Sequence, residues 1–207
     1  MMRWVPRIGA VLMTAGLVFA ACGNGSSPSR ASKPKSSRTK TKANAVDPNA
    51  PEVNPAGDIP DNQVFVTYSN AAGYAVKVPE GWARSTQSGT ISFTDKLNTI
   101  RVGTEKLPAP PTVASVRGDE LSAIAKGAKH FRAGRVENVT RRIGRGVMAT
   151  YEMESAPDAV TGKARRLDVE RYEFWRKGKA LVLVLSAPHG ADNVDPWRIV
   201  SSSLQWR

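Results

Sequence analysis

Hydrophobic and polar positions divide the chain into three textures. Ile8 to Ala21 is an apolar run interrupted only by Gly and Thr. Residues 23–62 hold almost no large apolar side chains. From Gln63 onward, short apolar runs alternate with turn residues. Val64 to Tyr68 predicts a first strand. Tyr74, Val76 and Val78 alternate with Ala75 and Lys77, the period of a half-buried strand. Pro79-Glu80-Gly81 ends it, and Trp82 follows as a core anchor. Ile91 and Phe93 mark another strand, then an Asp95–Asn98 turn and a strand at Thr99–Gly103.

Pro108, Pro110 and Pro111 close this strand run. Val113, Val116, Leu121, Ile124 and Ala128 then keep one face of a helix over about 112–128. Val136–Ile143 and Val147–Glu154 read as a hairpin turning at Gly144-Arg145-Gly146. Arg166–Trp175 is a further strand, followed by a tight turn at Arg176-Lys177-Gly178-Lys179. Ala180 to Leu185 is continuously apolar, so both its faces should be covered, as in a central strand. Asp195 and Pro196 take N-cap and first-turn positions of a last helix, along which Trp197, Val200, Ser201 and Leu204 recur at helical spacing. The class expected is α+β, with an antiparallel sheet sandwiched between helices in a single domain over 63–207.

Charge sharpens the division. The 207 residues carry 30 Lys+Arg against 18 Asp+Glu. Residues 63–207 hold 22 basic and 14 acidic groups, a net of +8. This favours anionic partners such as phospholipid headgroups or wall polymers. An exported protein would seldom meet nucleic acid, so none is expected as a partner.

Export is written in the first 22 residues. Arg3 and Arg7 form a positive n-region, and the fourteen residues that follow from Ile8 are too few for a permanent span, which needs about 20. Ala20 and Ala21 suit a signal peptidase cleft. Directly before Cys22, they resemble the bacterial lipobox, in which the cysteine is acylated and becomes the new N-terminus. Phe19 departs from the leucine preferred there, but an ordinary cleavage site would want a small residue. Lipidation would also explain why an exported chain carries one cysteine and no disulfide. Residues 1–21 are therefore read as a signal peptide and Cys22 as the lipidation site.

Residues 22–62 form the expected tether. Arg30, Lys33, Lys35, Arg38, Lys40 and Lys42 make a basic block with no acid among them. So polar a segment cannot bury enough surface to offset chain entropy, so disorder is predicted, with a reach of about 35 Å. The block can also lie on anionic headgroups.

Gly73-Tyr74-Ala75-Val76-Lys77-Val78-Pro79-Glu80-Gly81-Trp82 resembles the signature GYxVxVPxGW. Ile91-Ser92-Phe93-Thr94-Asp95, a strand with Ile100-Arg101-Val102, and a C-terminal helix ending at Trp206 follow in the same order. Over about 64–206 the chain is similar to PsbP-like (Mog1/PsbP-fold) proteins, which include lipoproteins of high-GC Gram-positive bacteria. The resemblance implies an antiparallel sheet between helices and a binding or accessory role. It brings no shared catalytic motif, and no cofactor is implied.

The remaining candidate chemistry is sparse. His189 has Asp192 and Asp195 nearby in sequence, a spacing that matches no standard metal motif. His130 follows the first helix as a solvated helix end. Ser201-Ser202-Ser203 lies in the last helix without a nucleophile elbow, and no phosphate loop or dinucleotide fingerprint occurs. Glu152, Glu154, Asp168, Glu170 and Glu173 can pair with Arg165, Arg166 and Arg171 across a wet face. Arg135, Arg141, Arg142 and Arg145 gather around one hairpin and offer an anion-binding patch. The expectation is a membrane-anchored extracytoplasmic lipoprotein, not an enzyme, whose domain binds an envelope protein, glycan or lipid. The alternatives are an assembly or sensing factor for a membrane complex and a hydrolase or transferase acting on envelope polymers.

Overall fold

The computed structural model describes residues 56–95 and 97–207. Cys22, the leader and the basic block lie outside the described residues. Among the described residues no helix is long and apolar enough to cross a membrane.

Among the described residues, ten strands form two antiparallel sheets. The smaller joins β1 (Phe65–Asn70), β2 (Tyr74–Pro79) and β10 (Gln205–Trp206), with β2 in the middle. The larger contains β3 (Ala83–Gln87), β4 (Thr90–Thr94), β5 (Thr99–Lys106), β6 (Arg132–Arg141), β7 (Gly144–Glu154), β8 (Arg166–Arg176) and β9 (Lys179–Pro188). Its order is β3-β4-β5-β9-β8-β7-β6, so the continuously apolar β9 is the central strand.

Strand register explains how both faces of this sheet are used. Met148, Tyr172, Leu183 and Val102 are cross-strand neighbours, all buried in one apolar cluster. The next row, Ala149, Arg171, Val184 and Arg101, faces the opposite side. The first face packs against β2 of the small sheet and against α3 (Val194–Ser203), through Tyr74, Val76, Trp197, Val200 and Leu204. Complete burial of Leu181, Leu183 and Leu185 contributes about 2 kcal/mol each. The second face is covered by a helical segment made of α1 (Val113–Ser115), a π-helical turn (Val116–Glu120) and α2 (Leu121–Gly127). Val116 and Leu121 bury there against Val147, Tyr151 and Val169. The α+β sandwich, with helix on both faces of the antiparallel sheet, is the architecture expected from the pattern.

Several local expectations need correction. The β6–β7 turn lies at Arg142 and Ile143, with Arg141 opposite Gly144. Gly146 sits inside β7, where a Cβ would meet the Glu173 carbonyl and Phe174 Cδ1 at 2.6 Å; closeness of the neighbouring strand, not chain reversal, requires it. The helix at the C-terminal end starts from Asn193, not Asp195. Asp195 lies in the first turn and pairs with Arg198 at 2.9 Å. The packed region also begins upstream of Gln63, since Ile59 is buried in the core and Gly57 adopts φ 106 against the Pro188 ring.

The Gly73–Trp82 signature maps onto structure. Gly73 (φ 93) and Gly81 (φ 82) form the turns at either end of β2, which left-handed backbone confines largely to glycine. Tyr74, Val76 and Val78 are the buried side of β2, and Trp82 packs against the same core. The signature therefore specifies the middle strand of the small sheet.

Candidate functional site

Ionisable groups gather at one end of β7 and β8. Arg132, Glu152, Asp168 and Ala187 are cross-strand neighbours on β6, β7, β8 and β9. With Glu170, Ala191, Val194 and Trp197 they border a cleft of about 330 Å3 beside the start of α3. A β-bulge between Ala133 and Val136 shapes its rim. There Arg135 N–H donates to Thr150 Oγ1 at 2.9 Å, and a Cβ on Gly134 would collide with the same hydroxyl.

Every carboxylate in the cleft already has a partner. Arg166 Nε reaches Glu152 Oε2 at 2.9 Å, and its terminal NH2 donates to His189 Nε2 at 2.9 Å. Because Nε2 accepts, the ring proton of a neutral imidazole sits on Nδ1, which donates to Asp168 Oδ1 at 2.8 Å. The Gly190 N–H donates to Asp168 Oδ2 at 3.1 Å. Tyr172 Oη donates to Glu170 Oε2 at 2.7 Å. Burial first, and the Glu170 charge second, push the Tyr172 phenol up to about 12.

One ligand atom from each of Glu152, Asp168 and His189 lies within 4.8 Å of the others. Two oxygens and an imidazole suit a divalent cation. The guanidinium of Arg166, however, bridges Glu152 and His189, so these donors hold the protein's own cation. The sequence neighbours Asp192 and Asp195 do not join His189. The Asp192 N–H donates to Asp58 Oδ1 at 2.9 Å, and Asp195 is engaged by Arg198. His130 is an exposed residue past the helix, as expected, and its Nδ1 lies 2.7 Å from Glu154 Oε2.

The acids read as one wet face divide between two faces. Glu152, Asp168 and Glu170 line the cleft, whereas Glu173 and Arg171 point the other way, beneath the π turn. Their side chains are 3% and 13% exposed, and Arg171 Nε donates to Glu173 Oε1 at 2.7 Å. A second contact runs from Arg171 to Glu120 Oε2 at 3.5 Å. Burial alone would lower the Arg171 pKa, but Glu173 and then Glu120 outweigh it and hold it above its ordinary value.

The hairpin arginines are spread out. Arg141 lies over the Tyr172 ring at 5.4 Å, and its Nε donates to Ser201 Oγ at 3.4 Å, which ties the hairpin to α3. Arg142, in the turn, borders a second cleft of about 360 Å3 with Lys77, Thr67 and Ser202. Arg145 pairs with Thr140 on the opposite face of the sheet from Arg141, and Arg135 stands at the bulge near the other end of β6. Lys77 had no place in the predicted patch. Its signal was present in β2, where a lone lysine alternates with valines on the side away from the core.

The chain matches no protein-family model and no curated protein. Solved structures do resemble it. The cyanobacterial PsbP, CyanoP, from Synechocystis sp. PCC 6803 superposes with a TM-score of 0.52 at 16% identity, over 73% of this chain and 98% of that one. The Saccharomyces cerevisiae Ran-binding protein Mog1p gives a TM-score of 0.47 at 9% identity, covering 70% and 96%. A Pseudomonas aeruginosa protein described as a putative regulator gives 0.40 at 12% identity, covering 65% and 91%. The fold is PsbP-like.

Proposed function

We propose that this PsbP-like domain is a non-catalytic binding module, held at the extracytoplasmic face of a cell membrane by acyl chains on Cys22. The observation that carries the binding-module reading is the mutual saturation of the cleft. Glu152 is taken by Arg166, Asp168 by His189 and Gly190, and Glu170 by Tyr172. A general base needs a free lone pair within reach of substrate, and His189 Nε2 is capped by Arg166. Such a face is built to hold its shape and present it to a partner. The anchor reading rests on Ala20-Ala21-Cys22 after a short apolar run, and on the polar stretch between Cys22 and the domain.

Two experiments test the two halves. Metabolic labelling with an alkyne fatty acid should mark the wild-type protein in membranes and leave Cys22→Ser unmarked. Label persisting on that variant, or absent from wild type, overturns the anchor. In-cell cross-linking of the anchored protein should recover the same envelope component repeatedly, and His189→Ala should leave that recovery intact. Turnover of an envelope polymer by the purified protein, lost in His189→Ala, would overturn the non-catalytic reading.

A further inference from the structure

We infer that the second cleft, where the small sheet meets the end of α3, binds a phosphate ester. The inference deepens the binding-module reading by naming a ligand class. The cleft, of about 360 Å3, is bordered by Thr67 and Lys77 from the small sheet, Arg142 from the β6–β7 turn, Ile199 and Ser202 from α3, and Gln205 from β10. Thr67 and Lys77 are cross-strand partners, so their side chains leave the sheet on the same side. The Lys77 N–H donates to Ser203 Oγ at 2.7 Å, and that hydroxyl donates to Val200 O at 2.7 Å, so α3 is pinned to β2 at this point. Arg142 is delivered by its neighbour: Arg141 is held over the Tyr172 ring of β8 and tied to α3 through Ser201.

The electrostatic state of this cleft differs from that of the first. Arg166, Arg171 and Arg198 each have a carboxylate. Among the described residues, the side chains of Lys77 and Arg142 have no ion-pair or hydrogen-bond partner. The carbonyl end of α3 supplies about half a negative charge, which leaves about +1.5 uncompensated on one small concavity. The domain's net charge of +8 adds a long-range pull on anions.

The donors also fit the shape of the ligand. The guanidinium fork engages two oxygens of a phosphate at once, and the ammonium acts as a point charge beside it. Thr67, Ser202 and the Gln205 amide can donate to the remaining oxygens. Ile199, 40% exposed on the rim, offers apolar contact to whatever the phosphate is esterified to. A carboxylate would leave most of these donors unused.

The test uses the full chain in mild non-ionic detergent, which serves whether or not Cys22 is acylated. Backbone amide shifts are followed during titration with three probes: inorganic phosphate, glycerol 3-phosphate, and monomeric dihexanoyl phosphatidylglycerol. The expected result is a saturable shift at Thr67, Lys77, Ser202 and Gln205. Apparent affinity should fall at least tenfold in Lys77→Gln/Arg142→Gln and stay within twofold in Arg135→Gln/Arg145→Gln, which has the same net charge. Saturation by all three probes assigns recognition to the phosphate group itself, and saturation by the lipid alone assigns it to an anionic headgroup. No saturable shift with any probe, or equal losses in the two double variants, overturns the inference. Both variants alter exposed side chains, and an unchanged thermal midpoint confirms that each is folded. The result does not depend on labelling of Cys22, so failure here and failure of the anchor are separable.

Discussion

Asn193 Nδ2 donates to Asn98 Oδ1 at 3.1 Å, although 95 residues separate them in the chain. The two amides are buried, and Asn193 also donates to Gly57 O at 2.9 Å and accepts from the Ile59 N–H at 2.8 Å. Asn98 is held in turn by Asp95, through its backbone N–H at 2.6 Å and its side-chain amide at 2.8 Å. The residue that opens α3 thus does not cap it but sews the entry segment and the β4–β5 turn to the core.

Replacing Asn193 should therefore cost far more than a lost helix cap. Asn193→Ala strands the Ile59 N–H, the Gly57 carbonyl and the Asn98 Oδ1 together, and each stranded buried group costs about 1–3 kcal/mol. The expected loss is about 3 kcal/mol or more, read as a drop in urea midpoint. Asp195→Ala, which removes only an exposed pair with Arg198, should change stability by less than about 1 kcal/mol. Comparable losses at the two sites would show that the Asn193 network carries no weight.

The Arg171–Glu173 pair makes a second prediction. Glu173→Gln leaves a buried guanidinium with its nearer carboxylate gone, which costs about 3–5 kcal/mol when such a pair is broken. Because desolvation of both ions is costly, Arg171→Met/Glu173→Leu should recover much of that loss. Glu120→Gln, which removes the more distant contact from the π turn, should cost less than Glu173→Gln. A double-mutant cycle on chemical denaturation curves reads all three. A double variant less stable than Glu173→Gln would mean that the pair is worth more than its desolvation.

How much of this was legible in the sequence depends on which side chains carried the signal. Ala180 to Leu185 announces a central strand because the run is apolar at every position, whereas an alternating pattern would leave one face wet, and β9 is that strand. The Lys177-Gly178 turn is equally plain: both residues take positive φ and join Arg176 to Lys179. β3 carries no apolar period in the sequence because all of its residues, Ala83 to Gln87, are exposed at the sheet edge. β10 is two residues long and could only be taken as the end of the helix. The cleft was hidden for another reason. Arg166, Asp168, Glu170 and Tyr172 alternate visibly, but Glu152 and His189 join them through strand register, which spacing alone does not disclose. The same register separates Arg141 from Arg145.

Two glycines should respond in opposite directions to the same substitution. At Gly146 a methyl group would strike the Glu173 carbonyl and the Phe174 ring, and strand backbone cannot swing aside. Gly146→Ala should destabilise by about 2 kcal/mol or more, in the range of overpacked cores. Gly118 lies in the π turn with nothing within 4 Å of a new Cβ. Gly118→Ala should leave the fold intact and stabilise it by about 0.5–1 kcal/mol, since helical glycine is entropically costly. Thermal midpoints of the two variants decide the matter, and a destabilised Gly118→Ala would mean that the π turn needs glycine for a reason other than space.

Alkaline pH should unfold the domain through its buried phenols. Burial pushes Tyr74 up to about 12, with Tyr68 adding to it, and burial with Glu170 pushes Tyr172 to about 12. Both stand above the ordinary value near 10, so the folded state holds these protons more tightly than the unfolded chain does. Their contribution to stability is therefore complete below pH 10 and is lost as pH rises from 10 through 12. Urea midpoints measured between pH 8 and pH 11.5 should be governed by other groups at the lower end and fall steeply above pH 10. Tyrosinate absorbance from these two residues should appear together with loss of near-ultraviolet circular dichroism. Tyr172→Phe removes one of these titrations, leaving Tyr74 and Tyr151, whose phenol burial also raises, and it removes the hydroxyl that Glu170 accepts from. The variant should start from a lower midpoint at pH 8 and show a shallower fall above pH 10. If its midpoint falls as steeply as that of the wild type, ionisation of the Tyr172 phenol is not part of the alkaline transition.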